Sequence, residues 1–216
     1  MYAKYLKRLF DFIIALIAVV CISPILLVLA VLVKIKLGSP VIFKQQRPGY
    51  KEKIFSLYKF RTMTNETDDN GVLLPDEKRQ TDFGKFLRKT SLDELPEMFN
   101  ILVGDMAFIG PRPLLVEYLD LYTPEQHKRH NVRPGMACIS AIKGRNSVPW
   151  VERLAMDTWY AENVSFTLDL SIFLKTIQIV LMRKGNPDAV NSGRGKLADA
   201  NRALLQKKEE PKVEDK

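Results

Sequence analysis

Between Ser91 and Pro113 the chain reads SLDELPEMFNILVGDMAFIGPRP, and two acids, Asp93 and Glu94, stand side by side near its start. Adjacent carboxylates can hold Mg2+, and one of a pair can attack phosphorus as a covalent nucleophile. The same residues admit a plainer reading. Ser91-x-x-Glu94 has the spacing of a helix capping box, and acids in a first helical turn are stabilised by the dipole. Pro96 weighs against that reading: with Ser91 as the cap, the proline takes the fifth helical position, where its missing N–H begins to matter.

Arginines beside prolines recur. Arg112 lies between Pro111 and Pro113, and Arg47-Pro48 and Arg133-Pro134 repeat the pairing. Proline stiffens the backbone on either side, and a guanidinium matches phosphate oxygens bidentately, so such arginines suit phosphate handling. Tight turns carrying a surface arginine are the alternative. Gly144-Arg145-Asn146 is a further small polar cluster, while Asp157 and Asp169 fall within expected helices, where ordinary surface acids also occur. His127 and His130 are the only histidines and sit beside Lys128 and Arg129. Two ligands among cations make a poor metal site, and solvated helix surface suits them better. Nucleotide-binding glycine motifs and the GxSxG elbow are absent.

The elements that must position these residues begin with an apolar run. Phe12 to Val33 contains 22 residues without a charge. As a helix it measures about 33 Å, enough for a bilayer core of about 30 Å. It exceeds a signal-peptide core, and Lys34-Ile35-Lys36 offers no cleavage site, so the run is expected to stay as an anchor. Ser23-Pro24 lies at its middle, where proline removes a donor and the serine hydroxyl can satisfy a group thereby freed. Basic residues flank both ends: Lys4, Lys7 and Arg8 before, Lys34, Lys36, Lys44 and Arg47 after. Two cytoplasmic ends would show this, although a kinked spanning helix also tolerates proline.

Beyond the anchor, strands are expected at Val41 to Gln46 and Lys53 to Phe60, turning at Arg47-Pro48-Gly49. Thr62 to Pro75 reads as a loop, Asp76 to Lys89 as a helix, and Leu95 to Val103 as another closed by Gly104. Thr123-Pro124-Glu125-Gln126 is a helix start running through His130. Trp150 to Glu162 and Ser165 to Lys184 read as helices, the second apolar enough on one side for a membrane surface or a core. Residues 186 to 216 read as a charged, mobile tail with one helix near Leu197 to Leu205. The expected plan is a helix-rich α+β chain: an anchor over 1–37, one globular domain with a β-hairpin over 38–185, and the tail.

Composition sets the bounds. The 216 residues carry 33 Lys and Arg against 25 Asp and Glu, a net +8 that favours anionic partners. Two cysteines, Cys21 and Cys138, form no CxxC pair, so a disulfide framework or zinc site is not expected and a reducing compartment fits. A membrane-tethered basic binding module would share the charge. It gives no reason for paired acids among arginines, and the basic surface is poor in the aromatics that stack bases, so nucleic acid is not an expected partner.

Taken in order, LKRLFD, the central Ser23-Pro24, VIFKQQRPG, KIFSLYKFRTM, the Ser91 to Pro113 stretch continuing into LLVEYL, RHNVRPG, GRN and NVSFTLDL resemble the small bacterial monotopic phosphoglycosyl transferases. The match covers residues 1 to 184 and is nearest to short members that transfer a diacetylbacillosamine phosphate. The resemblance implies a re-entrant, helix-break-helix hairpin at Ser23-Pro24 entering one leaflet of the inner membrane, with the globular domain cytoplasmic. It implies Asp93 as the nucleophile that forms an aspartyl phosphosugar and releases UMP, Glu94 as its dyad partner, and Mg2+ beside both. A UDP-sugar is the implied donor and polyprenol phosphate the acceptor. Lys59, Arg88, Arg112, Pro113, Arg145, Asp157 and Asp169 fall on positions associated with substrate binding. The chain departs from the family's pattern over Met136 to Lys143, where Thr-Gly and Gln are missing. That departure bears on the sugar rather than on the reaction.

Overall fold

The computed structural model describes residues 2–144, 148–182 and 197–202. Contacts divide the chain into two compact units. One, here the anchor unit, comprises Tyr5–Gln46 and Phe55–Met106; the other, the C-terminal unit, comprises Met1–Lys4, Arg47–Ile54 and Ala107–Lys216.

A π-helical turn, Tyr2–Leu6, runs directly into α1, Lys7–Leu37, the long helix of the anchor unit. Helix α1 continues through Pro24. Proline cannot donate to the carbonyl four residues back, which here is Val20. The Ser23 hydroxyl donates to that carbonyl at 2.8 Å, so the expected substitution of a side chain for the lost backbone donor is present. Lys7, Asp11 and Ala15 near one end and Leu29, Val33 and Leu37 near the other are buried, whereas nothing between residues 16 and 28 is.

The strands β1 (Ile42–Pro48) and β2 (Ile54–Phe60) form a two-stranded sheet close to the expected bounds. The expected helix over 76–89 is interrupted. Helix α2 spans only Asp76–Arg79, Gln80 and Thr81 are extended, and α3 spans Asp82–Thr90. Thr81 starts α3 by accepting from the Gly84 N–H, a local side-chain bond that outcompetes helix continuation. Gly84 must pass so close to Thr62 that a Cβ there would lie 1.9 Å from its carbonyl oxygen.

Helix α4, Glu97–Val103, follows and ends at Gly104 in the left-handed conformation, as expected. Its last carbonyls find a donor in Arg8, whose guanidinium bonds Ile101 O at 2.5 Å and Leu102 O at 2.7 Å. The core of this unit joins the C-terminal half of α1 to β2 and α3 through Leu29, Val33, Leu37, Phe60 and Leu87, with Leu92 and Leu95 packed against them.

In the C-terminal unit the hairpin tip is longer than the expected Arg47-Pro48-Gly49 turn. It runs through a 3-10 turn at Tyr50–Glu52, with Lys51 and Glu52 both at positive φ (53° and 62°). Strand β3, Ala107–Ile109, pairs in parallel with β4, Gly135–Ala137. Gly135 permits that approach: a Cβ on it would sit 2.0 Å from the Gly110 nitrogen. Between the strands Thr123 and Gln126 form the expected capping box for α5, Pro124–His127. Helices α6 (Ile139–Ile142), α7 (Trp150–Glu162) and α8 (Phe166–Leu181) follow, the last capped by Ser165. Lys184 and Gly185, where the sequence closes that helix, lie outside the described residues.

The tail is not uniformly free of the fold. Residues 197–202 are helical, Leu197 is fully buried in a cluster with Tyr118, Trp150 and Leu154, and the Asn201 and Gln126 side chains bond at 2.7 Å. Leu197 and Ala200 in that cluster, with Asn201 also donating to the Leu121 carbonyl, hold a segment whose composition alone reads as mobile.

Candidate active site

The site is assembled by three chain segments of the anchor unit. Helix α3 closes at Ser91, which takes the left-handed conformation (φ 56°) and makes no capping bond through its side chain. The capping-box reading of Ser91-x-x-Glu94 is therefore not realised. Leu92–Glu94 instead forms one 3-10 turn, and Pro96 precedes α4, where its missing N–H costs nothing. This break turns Asp93 inward, so that it is only 9% exposed, with Glu94 beside it.

Lys59, on β2, points its ammonium at these acids. Its Nζ lies 2.8 Å from Glu94 Oε1 and 3.2 Å from Oε1 of Glu97. Arg88, on α3, donates through Nε to Thr62 Oγ1 at 2.8 Å, which fixes the plane of its guanidinium. Burial pushes the Asp93 carboxyl up to about 6, and the neighbouring Glu94 charge adds to that; Lys59 and Arg88 pull the other way. At pH 7 the carboxylate is still largely ionised yet poorly solvated, the condition that makes a carboxylate a competent nucleophile.

Among the described residues no group of three or more acids, histidines or cysteines is arranged to hold a metal ion. Mg2+ does not demand one, since it keeps several waters and shares substrate phosphates with one or two carboxylates. Asp93 and Glu94 supply such oxygens, and the Glu94 charge that raises Asp93 is a repulsion a divalent cation relieves. The donor set therefore fits the ion.

The C-terminal unit holds other residues of the expected set. Arg112 is exposed and Pro113 half-buried. The Arg112 carbonyl accepts from Nη2 of Arg129 at 2.7 Å, and the same guanidinium is paired with Asp157, 2.6 Å from Nη2 to Oδ2. Both partners are buried, so Asp157 is no surface acid; it acts on Arg112 through Arg129. Burial opposes the charge on Arg129, but the Asp157 carboxylate outweighs it and holds that guanidinium above its ordinary pKa. Asp169 is likewise buried, with the Tyr160 hydroxyl 2.6 Å from Oδ1 and the Tyr2 hydroxyl 2.7 Å from Oδ2. Arg145 lies outside the described residues.

Two expectations change. His130 is buried rather than solvated, with Nδ1 3.2 Å from the Gly49 carbonyl, and only His127 is half-exposed, against Glu52. Arg133 stacks over the Tyr50 ring at 5.7 Å, a packing role for one of the three proline-flanked arginines. Sequence reasoning passed over Glu97, Asn100 and Arg129. The first two share a face with Glu94 at three-residue spacing, a signal available in the letters; nothing in KRHN marks Arg129 as buried.

Comparison with known proteins identifies the family. The family model described as bacterial sugar transferase matches residues 2–183. The sugar transferase EpsL of Bacillus subtilis (strain 168) is 51% identical over 180 residues, covering 83% of this chain and 89% of that protein. The exopolysaccharide production protein ExoY of Sinorhizobium fredii is 36% identical, covering 83% and 87%. The UDP-glucose:undecaprenyl-phosphate glucose-1-phosphate transferase of Klebsiella pneumoniae is 40% identical over 79% of this chain but only 39% of its own length, so the chain spans less than half of that larger relative. Matched along more than four-fifths of its length, the chain belongs to the bacterial sugar transferase family and is a phosphoglycosyl transferase.

Proposed function

We propose that the chain transfers a sugar-1-phosphate from a UDP-sugar to polyprenol phosphate through a covalent intermediate on Asp93. The observation that carries this reading is the buried Asp93 carboxylate, raised to about 6, beside Glu94 and two cations. An Asp93 oxygen attacks the phosphorus next to the sugar. The bond from that phosphorus to the bridging oxygen breaks, and UMP leaves with the electron pair. An oxygen of polyprenol phosphate then attacks the same phosphorus, the bond to Asp93 breaks, and the carboxylate is regenerated with polyprenol-diphosphate sugar as product. Two steps on one carboxylate let a water-soluble donor and a lipid acceptor use the site in turn.

Lys59 and Arg88 offset charge near the reacting phosphate; among the described residues the terminal nitrogens of Arg88 make no hydrogen bond. Mg2+, held by Asp93 and Glu94, would supply further neutralisation of the diphosphate. Arg112, Pro113, Arg145, Asp157 and Asp169 are proposed as donor-binding residues on the family resemblance; Asp157 reaches the Arg112 carbonyl through Arg129, and Asp169 is bonded by Tyr160 and Tyr2. The relatives supply the donor and acceptor classes: one is named a UDP-glucose and another a UDP-N-acetylgalactosamine transferase, both onto undecaprenyl phosphate. An N-acetylated amino-sugar and a hexose are both candidate donors.

The membrane reading is part of the proposal. A straight α1 would set Arg8 about 37 Å from Val33 at 1.5 Å per residue. Yet Arg8 bonds the C-terminal end of α4, while Val33 lies in a cluster with Leu92 and Leu95 just before α4, a helix of seven residues. Both ends returning to one short helix, with an unburied middle at Ser23-Pro24, support a hairpin that dips into one leaflet from the cytoplasmic side. On α8, Phe166, Leu170, Phe173, Leu174, Ile177 and Val180 are exposed on a helical stripe, and Tyr2, just ahead of α1, packs edge-on against Phe166. That stripe suits the bilayer surface.

The test is UMP release by the purified protein with Mg2+ across a panel of UDP-sugars, followed by intact-mass analysis without acceptor. A sugar phosphate on Asp93, absent in Asp93→Asn, is the expected result. Turnover by Asp93→Asn near the wild-type rate would overturn the assignment.

A further inference from the structure

The fully buried Asn100, on α4 one turn beyond Glu97, bonds the backbone of β2 with both ends of its side chain. Its Oδ1 accepts from the Tyr58 N–H at 3.0 Å and its Nδ2 donates to the Ser56 carbonyl at 2.7 Å. This is the bonding that the N–H and C=O of one residue in a parallel neighbouring strand would offer on either side of residue 57, so the carboxamide takes the place of a third strand along that edge. The next residue after Tyr58 is Lys59, whose ammonium reaches Glu94 and Glu97. Asn100 is itself held rigidly: its own carbonyl accepts from Gly104, Asp105 and Met106 at 2.9 to 3.2 Å.

Asn100 thus ties the β2 backbone to α4 in a fixed register, one residue before the lysine that must arrive at the acids. We infer that Asn100 is a positioning residue for the transfer reaction, setting Lys59 against the Asp93–Glu94 pair. Glu97 contributes from the same helix face by giving Lys59 a second, buried anchor. Lys59 can then stay in place when Glu94 turns to a ligand. The inference builds on the proposed reaction, but the placement of Lys59 stands independently of it.

The experiment accordingly has one readout that needs no turnover. The full-length protein, wild type and Asn100→Ala, is acetylated briefly with an N-hydroxysuccinimide ester, and modification at each lysine is quantified by mass spectrometry. Lys59 should label several-fold faster in the variant, while Lys7, buried elsewhere in the same unit, should not change. Unchanged protection of Lys59, or equal gains at Lys7 and Lys59, overturns the inference; Asn100→Asp, which keeps the acceptor for Tyr58, replaces alanine if that variant does not fold.

The second readout is UMP release with the best donor of the panel. Asn100→Ala should lower kcat at least about tenfold, as misplacement by about an ångström does, with KM changed less. Lys59→Met should do the same, and the double variant should be no slower than Lys59→Met alone. Full additivity of the two losses rejects the inference. A wild-type protein that releases no UMP from any donor rejects the proposed reaction instead, and the labelling result still decides the placement of Lys59.

Discussion

At the scale of single residues, the proposed chemistry depends on a carboxylate kept against its preference. The folded chain binds the Asp93 proton more tightly than the unfolded chain does, since about 6 lies above the ordinary 3.8. Stability therefore falls as pH rises from about 4 to 6, and stays lower above that window. Asp93→Asn, which cannot ionise, should be more stable than wild type at pH 7 by about 2 kcal/mol while releasing no UMP. Chemical denaturation of the two proteins at pH 7 checks the first part. The rate of UMP release by the wild type should drop on the acid side with a midpoint at or below about 6, since bound Mg2+ would favour the ionised carboxylate.

Arg129→Met should have the opposite character. It leaves Asp157 buried without its cation, a loss of about 3–5 kcal/mol in the same measurement. The adjacent acids were legible as letters because their chemistry needs no fold to be suspected. The Arg129–Asp157 pair was not, because two charges 28 residues apart announce nothing about sharing a buried site.

At the scale of elements, local signals fared best where the chain itself enforces them. The capping box at Thr123 is a side chain acting on its own backbone, and the terminator at Gly104 is a left-handed turn that glycine takes without strain, so both are set locally. The split between α2 and α3 was hidden because charged and apolar periodicity runs across it, and only the Thr81–Gly84 bond shows where the new helix begins. Gly84 offers a direct check. An alanine methyl would meet backbone rather than a movable side chain at Thr62, so Gly84→Ala should lower stability by about 2 kcal/mol or more, despite alanine's better helix propensity. A thermal melt with an unchanged or raised Tm would contradict that packing.

At the scale of the whole molecule, sequence pattern identified the helix-rich α+β class, the long apolar N-terminal helix and the loop, whereas the division of contacts into two units is not legible in it. Periodicity reports which face of an element is apolar; it carries no information on which distant segment covers that face. Ionisation acts at this scale as well. Burial, with Arg129 nearby, depresses the His130 imidazole to about 4 from its ordinary 6.5. The neutral ring's contribution is complete above pH 6.5 and is lost as pH falls through 4, the reverse of the Asp93 effect in an overlapping window. His130→Gln should thus flatten the loss of stability between pH 6.5 and 4, as read from denaturation midpoints against wild type.

The hydroxyl of the second residue has its partner 167 positions later, at Asp169. At ribosomal speeds of about 5–20 residues per second, that gap corresponds to roughly ten to thirty seconds of synthesis. The long apolar helix is complete long before its leading turn can be fastened, so the proposed membrane insertion would proceed with that end loose. Any fusion placed directly before Tyr2 would compete for the same late-closing latch.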